Sequence, residues 1–349
     1  MKNKKDLGQF FTTNYEYILS GLKIPEGITH IIEPFCGNGD LLSFIDDKEN
    51  IEIDSYDIEP KKKFVKRRDT LLDPPSYKNT FVLTNPPYLA LNHASNKDIF
   101  KRYDVNDLYK AFLTTLLKDP CLGGILVVPL NFWCSIRKKD AELRKCFLET
   151  YRVLRLNVFE ERVFEDTTYT VCSFQFESRG NCDLEQRISI TLFPKMKSFQ
   201  ALLNQENNYL IGGDIYTLPL QTIYKIGRLV KGQTPNTNIV AKCIDDNENN
   251  KIGLKMVDDD EVYLDDTPNR SARTYATLVI TPAITTDRQK RLVDEFNAYF
   301  NRHRDKYDSL FLTNYRESKG TFARKRISFE LLYDIVGHLL VNYENPKDG

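Results

Sequence analysis

The sequence predicts an α/β protein: a doubly wound, mainly parallel seven-stranded sheet, followed by a smaller C-terminal α+β domain. Three observations support this architecture. Short apolar runs alternate with amphipathic segments over about half of the chain. A Gly-x-Gly loop follows the first apolar run, and a proline-rich loop follows the fourth. Ligands of such sheets bind at the carboxyl ends of the strands, so these two loops are candidate parts of one site.

The apolar runs and helical stripes define the predicted elements. Strands are predicted at residues 30–33, 51–56, 65–69, 81–84, 124–130, 153–159 and 171–176, the last two as an edge hairpin. Helices are predicted at 13–23, 41–45, 107–117, 136–151 and 327–340, with Asp107 as an N-cap. The alternation of predicted strands and helices stops after the last predicted strand, 171–176. We therefore place the domain boundary between residues 182 and 183, with a second domain at 183–349.

Composition excludes several classes of protein. The net charge is zero, which argues against a globally basic nucleic-acid-binding surface. Seven cysteines without a Cys-x-x-Cys pair and four dispersed histidines argue against a disulfide framework or a metal site. The N-terminus lacks a secretory pattern, and the longest apolar run, residues 124–130, is too short to cross a bilayer. We therefore expect a cytoplasmic protein that contains no metal and does not contact a membrane.

The most informative stretch is Asn85-Pro86-Pro87-Tyr88, directly after the fourth apolar run. Each proline fixes its own φ and disfavours the helical region for the preceding residue, so the stretch is stiff and extended. The Asn85 side-chain oxygen and the Pro86 carbonyl are then two acceptors beside the aromatic face of Tyr88. This set suits a planar ring that carries an exocyclic NH2 group. The alternative is a proline-rich turn with a packing tyrosine.

The region before this stretch has the pattern of a nucleotide-binding fold. Glu33 ends the first strand, and Gly37 and Gly39 follow in a loop that allows close approach of a ligand to the backbone. Asp57 ends the second strand, 18 positions after Gly39. An acid at this place accepts hydrogen bonds from ribose hydroxyls in dinucleotide-binding folds. The alternative for Asp57 is an ordinary surface acid at a strand end.

With these pieces in order, residues 1–180 resemble the γ-class, TaqI-type N6-adenine DNA methyltransferases of type II restriction–modification systems. Asn85-Pro86-Pro87-Tyr88 is similar to the family's catalytic motif, and Phe164 to the aromatic residue that contacts the extruded adenine from its other side. The resemblance implies a Rossmann-like methyltransferase fold, base flipping from duplex DNA, and S-adenosylmethionine as cofactor, with S-adenosylhomocysteine as product.

The resemblance also implies which residues bind the cofactor. The segment after Gly8 is similar to the motif that packs over the methionine end, Glu33-Pro-Phe-Cys-Gly-Asn-Gly39 to the cofactor loop, Ile58 to the residue beside the cofactor adenine, and Asp69 to the acceptor of its amino group. The loop departs from the usual spelling at Glu33 and Phe35. The implied cofactor-binding residues are Gln9, Phe10, Phe11, Thr12, Glu33, Pro34, Phe35, Gly37, Gly39, Asp57, Ile58, Asp69, Thr70 and Asn85.

For residues 183–349 the resemblance implies a DNA target-recognition domain without naming a base-reading residue. Candidate DNA contacts share the ability to bind phosphates or base edges. They are Asn314, Tyr315, Arg316, Lys319, Arg324, Lys325 and Arg326. The alternative is a solvated basic loop before the last helix.

Three other functions use the same residues. A protein-glutamine N5 methyltransferase or an rRNA guanine-N2 methyltransferase also needs a planar NH2 acceptor site. An inactive DNA-binding module is the third alternative. Only 32 residues precede Glu33, whereas the protein and RNA enzymes generally carry their extra domain before the cofactor loop, so the layout favours double-stranded DNA as partner. No nuclease motif is found, so a cognate restriction endonuclease is expected on a separate chain.

Overall fold

The computed structural model describes residues 8, 10, 12–164, 167, 169–180, 185–219, 223–247, 249, 251–264, 274–314 and 324–344. The chain divides into two compact units, residues 1–209 and 210–349. We call them the N-terminal unit and the C-terminal unit. The site residues predicted at Gln9, Phe11, Tyr315, Arg316 and Lys319 lie outside the described residues.

The N-terminal unit is built on one sheet of nine strands. They are β1 (His30–Glu33), β2 (Glu52–Asp57), β3 (Lys66–Arg67), β4 (Phe81–Thr84), β5 (Gly123–Pro129), β6 (Tyr151–Phe159), β7 (Val171–Ser178), β8 (Gln186–Phe193) and β9 (Lys197–Leu203). Their order is β3-β2-β1-β4-β5-β7-β6-β8-β9. Five neighbouring pairs are parallel and three are antiparallel. The mainly parallel sheet predicted from the sequence is confirmed.

The predicted count of seven strands is corrected to nine. The predicted hairpin exists, since β6 and β7 pair antiparallel, but it is not the edge of the sheet. β8 adds in parallel to β6, and β9 closes the edge as an antiparallel partner of β8. The sheet therefore extends beyond the predicted boundary at residue 182, and the N-terminal unit reaches residue 209.

The described helices of this unit flank the strands. They are α1 (Tyr15–Ile18), α2 (Asp98–Tyr103), α3 (Leu108–Lys118), α4 (Asn131–Cys134) and α5 (Lys138–Thr150). The helices predicted at 107–117 and 136–151 are confirmed as α3 and α5. Two others are much shorter than predicted: residues 13–23 contain only the four-residue α1, and residues 41–45 form a 3₁₀ turn, Leu41–Phe44. Gly21, with φ +71°, lies three residues after the end of α1 and interrupts the helical segment there.

The core of the unit explains why the central strands are continuous apolar runs. Every residue of β4 and β5 is buried, because helices cover parallel strands on both faces. An aromatic cluster fills the space between the sheet and the helices near β7. It consists of Phe132, Trp133, Phe147, Tyr151, Phe174 and Phe176.

The C-terminal unit has α+β architecture. Its strands are β10 (Lys225–Arg228), β11 (Ile239–Lys242), β12 (Ile244–Asp245), β13 (Gly253–Met256), β14 (Tyr275–Thr281), β15 (Thr313–Asn314) and β16 (Lys325–Arg326), and its helices are α6 (Thr286–Tyr307) and α7 (Phe329–Glu344). The sheets have the orders β10-β14-β11-β13 and β12-β16-β15. A bidentate ion pair from Arg304 to the buried Asp245 ties α6 to β12. Among the described helices, none has the length and apolar character needed to span a membrane.

Candidate active site

Three neighbouring strand ends define the candidate site. β1 lies between β2 and β4, and all three run parallel. Glu33 ends β1, Asp57 ends β2, and Thr84 ends β4 immediately before Asn85. The carboxyl ends of parallel strands meet at one edge of the sheet, which is where open α/β sheets bind ligands.

A cavity of about 340 Å³ opens at this edge. Its size lies within the range for small-molecule sites, roughly 300–1,000 Å³. The predicted site residues that line it are Phe10, Thr12, Glu33, Phe35, Gly37, Asp57, Ile58, Asp69, Thr70, Asn85 and Pro87. Pro34, Gly39, Pro86, Tyr88 and Phe164 are described but are not among its lining residues. The structure thus brings eleven residues of the predicted set, from five separate sequence segments, around one cavity.

Glu33 is the most deeply buried carboxyl group of the cavity, with 1 % of its surface exposed. Its Oε1 accepts hydrogen bonds from the Thr84 hydroxyl and from the Phe35 backbone N–H, at 3.2 Å in the second case. Its Oε2 is buried without a hydrogen-bond partner in the described part of the chain. Burial, with a smaller contribution from the nearby Asp57 charge, raises the pKa of Glu33 to about 8. A buried acceptor without a partner is costly unless a ligand supplies the donor.

The glycine loop lies against Asp57. The Gly37 N–H donates to Asp57 Oδ2 at 2.8 Å, and the Glu59 N–H donates to Oδ1 at 2.8 Å. Gly39 has φ +82°, a conformation that L side chains rarely adopt, and a Cβ there would lie 3.2 Å from the Phe64 ring. The carboxylate of Asp57 is therefore fixed by backbone donors while it lines the cavity.

The loops after β2 and β3 add an apolar wall and one acid to the cavity. Ile58 and Leu72 line the cavity although 39 % and 51 % of their surfaces are exposed. Asp69 Oδ1 accepts hydrogen bonds from the N–H groups of Leu71 and Leu72. These two bonds fix the Asp69 carboxylate within its own turn. The Thr70 hydroxyl donates to the Pro34 carbonyl at 3.0 Å, so these two residues link the loops after β1 and β3. The exposed apolar side chains can pack on the face of a heteroaromatic ring, and the acid can accept a hydrogen bond from a donor at the edge of that ring.

Asn85 is fixed by the N-terminal segment. Its Nδ2 donates to the Phe10 carbonyl at 2.9 Å and to the Thr12 hydroxyl at 3.0 Å. Because a carbonyl can only accept, these contacts determine which end of the amide is nitrogen. Oδ1 then points at the Tyr88 hydroxyl, with which it forms a hydrogen bond. The predicted acceptor is present at the cavity, but it is engaged within the chain.

The Tyr88 side chain is buried, with 3 % of its surface exposed. Its hydroxyl lies against both Asn85 Oδ1 and the Val127 carbonyl, the latter at 2.7 Å, and its single proton can serve one of them at a time. Burial raises the pKa of Tyr88 well above its usual value, so it remains protonated. In this structure the rings of Phe10, Tyr109 and Tyr169 surround the Tyr88 ring, and the role of Tyr88 in binding a base stays a prediction.

Sequence reasoning missed much of the loop between Leu89 and Asn106. It contains α2, and it lines the cavity with Leu89, Ala94, Ser95, Asn96, Asp98, Ile99 and Phe100. The available signal was the length of the polar loop, because loops longer than about 12–15 residues are uncommon in compact domains unless they are functional. Asp107 closes this loop and accepts from the Leu89 N–H at 3.1 Å, without a side-chain capping bond to α3. Burial raises the pKa of Asp107 to about 7.

One group of side chains among the described residues has ligand atoms close enough together for a metal ion: His30, Glu52 and Asp54. It lies at the opposite end of the strands from the cavity, since His30 begins β1. The Lys66 ammonium group contacts Asp54 at 2.6 Å, and His30 contacts it at 3.2 Å. A fixed positive charge on the same carboxylate disfavours a cation there.

Three of the described candidates for DNA contacts, Asn314, Lys325 and Arg326, lie on two short strands, and Arg324 directly precedes β16. Asn314 pairs with Lys325 between β15 and β16, and Arg326 pairs with Thr313. Arg324 lies 3.5 Å from Asp246, so part of its charge is compensated within the chain. The structure brings these candidates together at one sheet; their role in binding DNA stays a prediction.

No protein-family model matches this chain, and the sequence matches no curated protein. Among solved structures it is similar to a type I restriction–modification methyltransferase subunit from Streptococcus thermophilus, with 13% identity, 60% of each chain covered and a TM-score of 0.44. It is also similar to a chain from a type I restriction–modification system, with 18% identity, 54% of this chain and 45% of the other covered, and a TM-score of 0.42. A third is the M protein of the type I restriction enzyme EcoKI, with 13% identity, 53% and 48% covered, and a TM-score of 0.40. The chain thus spans about half to three fifths of the length of these proteins.

Proposed function

We propose that this protein is an S-adenosylmethionine-dependent DNA methyltransferase that modifies N6 of an adenine extruded from duplex DNA. In this proposal it is the modification component of a restriction–modification system, and any cognate endonuclease is a separate chain. The observation that carries the proposal is the common cavity. Asn85 and Pro87 of the catalytic-type loop line the same space as Glu33, Asp57 and Asp69.

The residues of the cavity fit S-adenosylmethionine. The unpartnered Oε2 of Glu33 offers an acceptor to an ammonium group, and Asp57 offers oxygen atoms to ribose hydroxyls. Ile58 and Leu72 supply an apolar surface for an adenine ring beside Asp69. When bound, the cofactor supplies an electrophilic methyl group. No metal ion is required for this chemistry.

The loop after β4 then orients the acceptor amine. Adenine N6 is a weak nucleophile because its lone pair is delocalised into the ring. Acceptors at both N6 hydrogens, from Asn85 Oδ1 and the Pro86 carbonyl, favour a nitrogen whose lone pair points at the methyl group. Asn85 Oδ1 can serve because the Tyr88 proton has an alternative acceptor, the Val127 carbonyl at 2.7 Å. Catalysis in this scheme comes from positioning and electrostatics.

The C-terminal unit is proposed to recognise the DNA target. Its short sheet presents the basic strand β16 next to Arg324, and such side chains can bind phosphates and guanine edges. Residues 183–349 in this proposal include the recognition elements.

The test is methylation of defined acceptors by the purified full-length protein. It is incubated with methyl-labelled S-adenosylmethionine and, separately, with unmethylated genomic DNA, ribosomal RNA and a bacterial protein extract. Nucleosides and amino acids are then analysed by mass spectrometry. We expect N6-methyladenine in DNA only, and none with the N85A variant.

Each other outcome rejects the proposal in a different way. Label in guanine N2 of RNA or in a glutamine amide would identify one of the two related methyltransferase activities. Cofactor binding and DNA binding without transfer to any acceptor would identify an inactive module. Sequencing of the methylated DNA would also give the recognition sequence.

A further inference from the structure

The Phe10 ring contacts Tyr88 and Phe164, the two aromatic side chains that the family resemblance implies as contacts of the extruded base. Its centroid lies 5.2 Å from that of Tyr88, with 31° between the ring planes. It lies 6.1 Å from that of Phe164, with 28° between the planes. Both distances are typical of offset-stacked aromatic pairs. Phe10 therefore bridges the two rings as a planar ligand would.

Two hydrogen bonds to the backbone of this segment hold the ring in place. Tyr88 donates its N–H to the Gly8 carbonyl at 2.9 Å, and Asn85 donates its Nδ2 to the Phe10 carbonyl at 2.9 Å. Gly8 has φ +65°, and a Cβ at this residue would lie 2.6 Å from the Tyr88 carbonyl oxygen. The close approach of the two backbones thus requires glycine. The Phe10 ring lies against Tyr88 because its own segment is anchored to the same loop.

Phe10 also separates the two rings from the cavity. It lines the cavity, whereas the described lining residues include neither Tyr88 nor Phe164, of which 3 % and 5 % of the surface is exposed. A base stacked on Tyr88 must present its amine to the methyl donor in that cavity. In this structure, a base placed in the cavity would meet the Phe10 ring, which lines it, and not the Tyr88 or Phe164 ring.

We propose that the Phe10 ring occupies the base-binding site in the substrate-free protein, and that an adenine base enters only when Phe10 leaves. This inference rests on the proposed function, because it takes Tyr88 and Phe164 as base contacts. Phe10 is a planar ring without hydrogen-bonding groups, so it fills an aromatic site but cannot use the acceptors of Asn85 and Pro86. A base can replace its stacking contacts and use those acceptors in addition.

The test uses free 2-aminopurine, a fluorescent isomer of adenine whose emission is quenched by stacking. Because the probe is a free base, the test does not depend on knowing the DNA sequence that the protein recognises. Full-length wild type, F10A, F10W and the double variant F10A/Y88A are titrated with it, and their folding is compared by circular dichroism and thermal melting. We expect F10A to bind the probe about tenfold more tightly than wild type, the effect of about one stacking contact. F10W keeps a large ring in the site and should bind no better than wild type.

The double variant shows where the probe binds. In F10A/Y88A the gain should be lost, because Tyr88 provides the stacking surface. Equal binding by F10A and wild type would overturn the inference, and so would a gain that survives the loss of Tyr88. F10W also changes residue 10 but keeps a large ring in the site. A gain in F10A that is absent in F10W therefore reflects opening of the site and not general loosening of the segment.

Failure of this inference is distinguishable from failure of the proposed function. If wild type methylates adenine in DNA but F10A gains no Tyr88-dependent binding, Phe10 does not occupy the base site. If F10A gains that binding but wild type and F10A transfer no methyl group to any acceptor, the site exists and the methyltransferase assignment is wrong.

Discussion

The Thr84 hydroxyl donates a hydrogen bond to Glu33 Oε1, which joins the end of β4 to the end of β1 inside the core. Thr84 is fully buried and directly precedes Asn85. The catalytic-type loop and the proposed cofactor loop therefore share one buried contact. A change in the charge of Glu33 therefore affects a hydrogen bond that lies at the start of both loops.

The first prediction concerns pH. Because the pKa of Glu33 is raised to about 8, this carboxyl is mostly protonated at pH 6 in the unliganded protein. A ligand that carries an ammonium group favours the ionised carboxylate, so its binding must release a proton at this pH. We expect the affinity for S-adenosylhomocysteine, measured by calorimetry, to increase between pH 6 and pH 8, by at most tenfold per pH unit for one proton.

Glu33→Gln is the matched variant, since it keeps the shape and removes the titration. Its affinity should be lower at pH 8 and should vary less with pH. Calorimetry in two buffers of different ionisation enthalpy should show less proton release for E33Q. An identical pH profile in both proteins would contradict the role given to Glu33.

The second prediction concerns Asn85→Ala. The loss of an acceptor for the N6 amine should reduce kcat by about 100-fold or more, the usual cost of removing one such polar contact in a transition state. The affinity for S-adenosylhomocysteine should change little, because other cavity residues provide most of the contacts. Asn50→Ala is the control, as Asn50 is an exposed asparagine whose amide contacts only Asp47 among the described residues. Full turnover by N85A would refute the mechanism.

The third prediction concerns Asp57→Ala. Hydrogen bonds to a charged carboxylate contribute about 1.5–3 kcal/mol, so cofactor affinity should fall by about tenfold or more. The Gly37 N–H also loses its acceptor at 2.8 Å, which weakens the loop in the same direction. Asp47→Ala, at an exposed acid, should leave the dissociation constant unchanged. The ribose role fails if D57A binds as wild type does.

The fourth prediction concerns stability. Lys110 and Asp140 form a buried ion pair at 2.5 Å, supported by Asn106 and Ser135. Lys110→Met leaves the Asp140 carboxylate buried without its cation, so the free energy of unfolding in urea should fall by about 3 kcal/mol or more. The double variant K110M/D140L removes both charges and should regain part of this loss. A double variant no more stable than K110M would show that the ion pair is not the cause.

The site residues that could be predicted from the sequence are those marked by short-range sequence patterns. Glu33, Asp57 and Asn85 are each recognisable because a buried strand of β-type residues ends just before a polar or proline-rich loop. The convergence of these ends follows from the geometry of parallel strands. Phe35, Ile58 and Asp69 could be assigned only through the resemblance to a family, because their roles do not follow from spacing.

The remaining features depend on contacts between residues far apart in the chain. The Tyr88 ring is buried by Phe10, 78 positions earlier, and by Tyr109 and Tyr169, and no local pattern predicts these contacts. The pairing of β8 with β6 was missed because an apolar strand gives no signal of its partner. α2 has only six residues and lies within a polar loop, so its helical period was too short to detect.

The position of β8 and β9 also determines where the N-terminal unit can be separated from the rest of the chain. A fragment ending at residue 182 would lack both strands and would leave the parallel edge of β6 open, with unpaired N–H and C=O groups over residues 155–159. Open, apolar strand edges pair with other molecules, so this fragment should aggregate. A fragment ending at residue 209 keeps the complete sheet and should remain monodisperse in gel filtration.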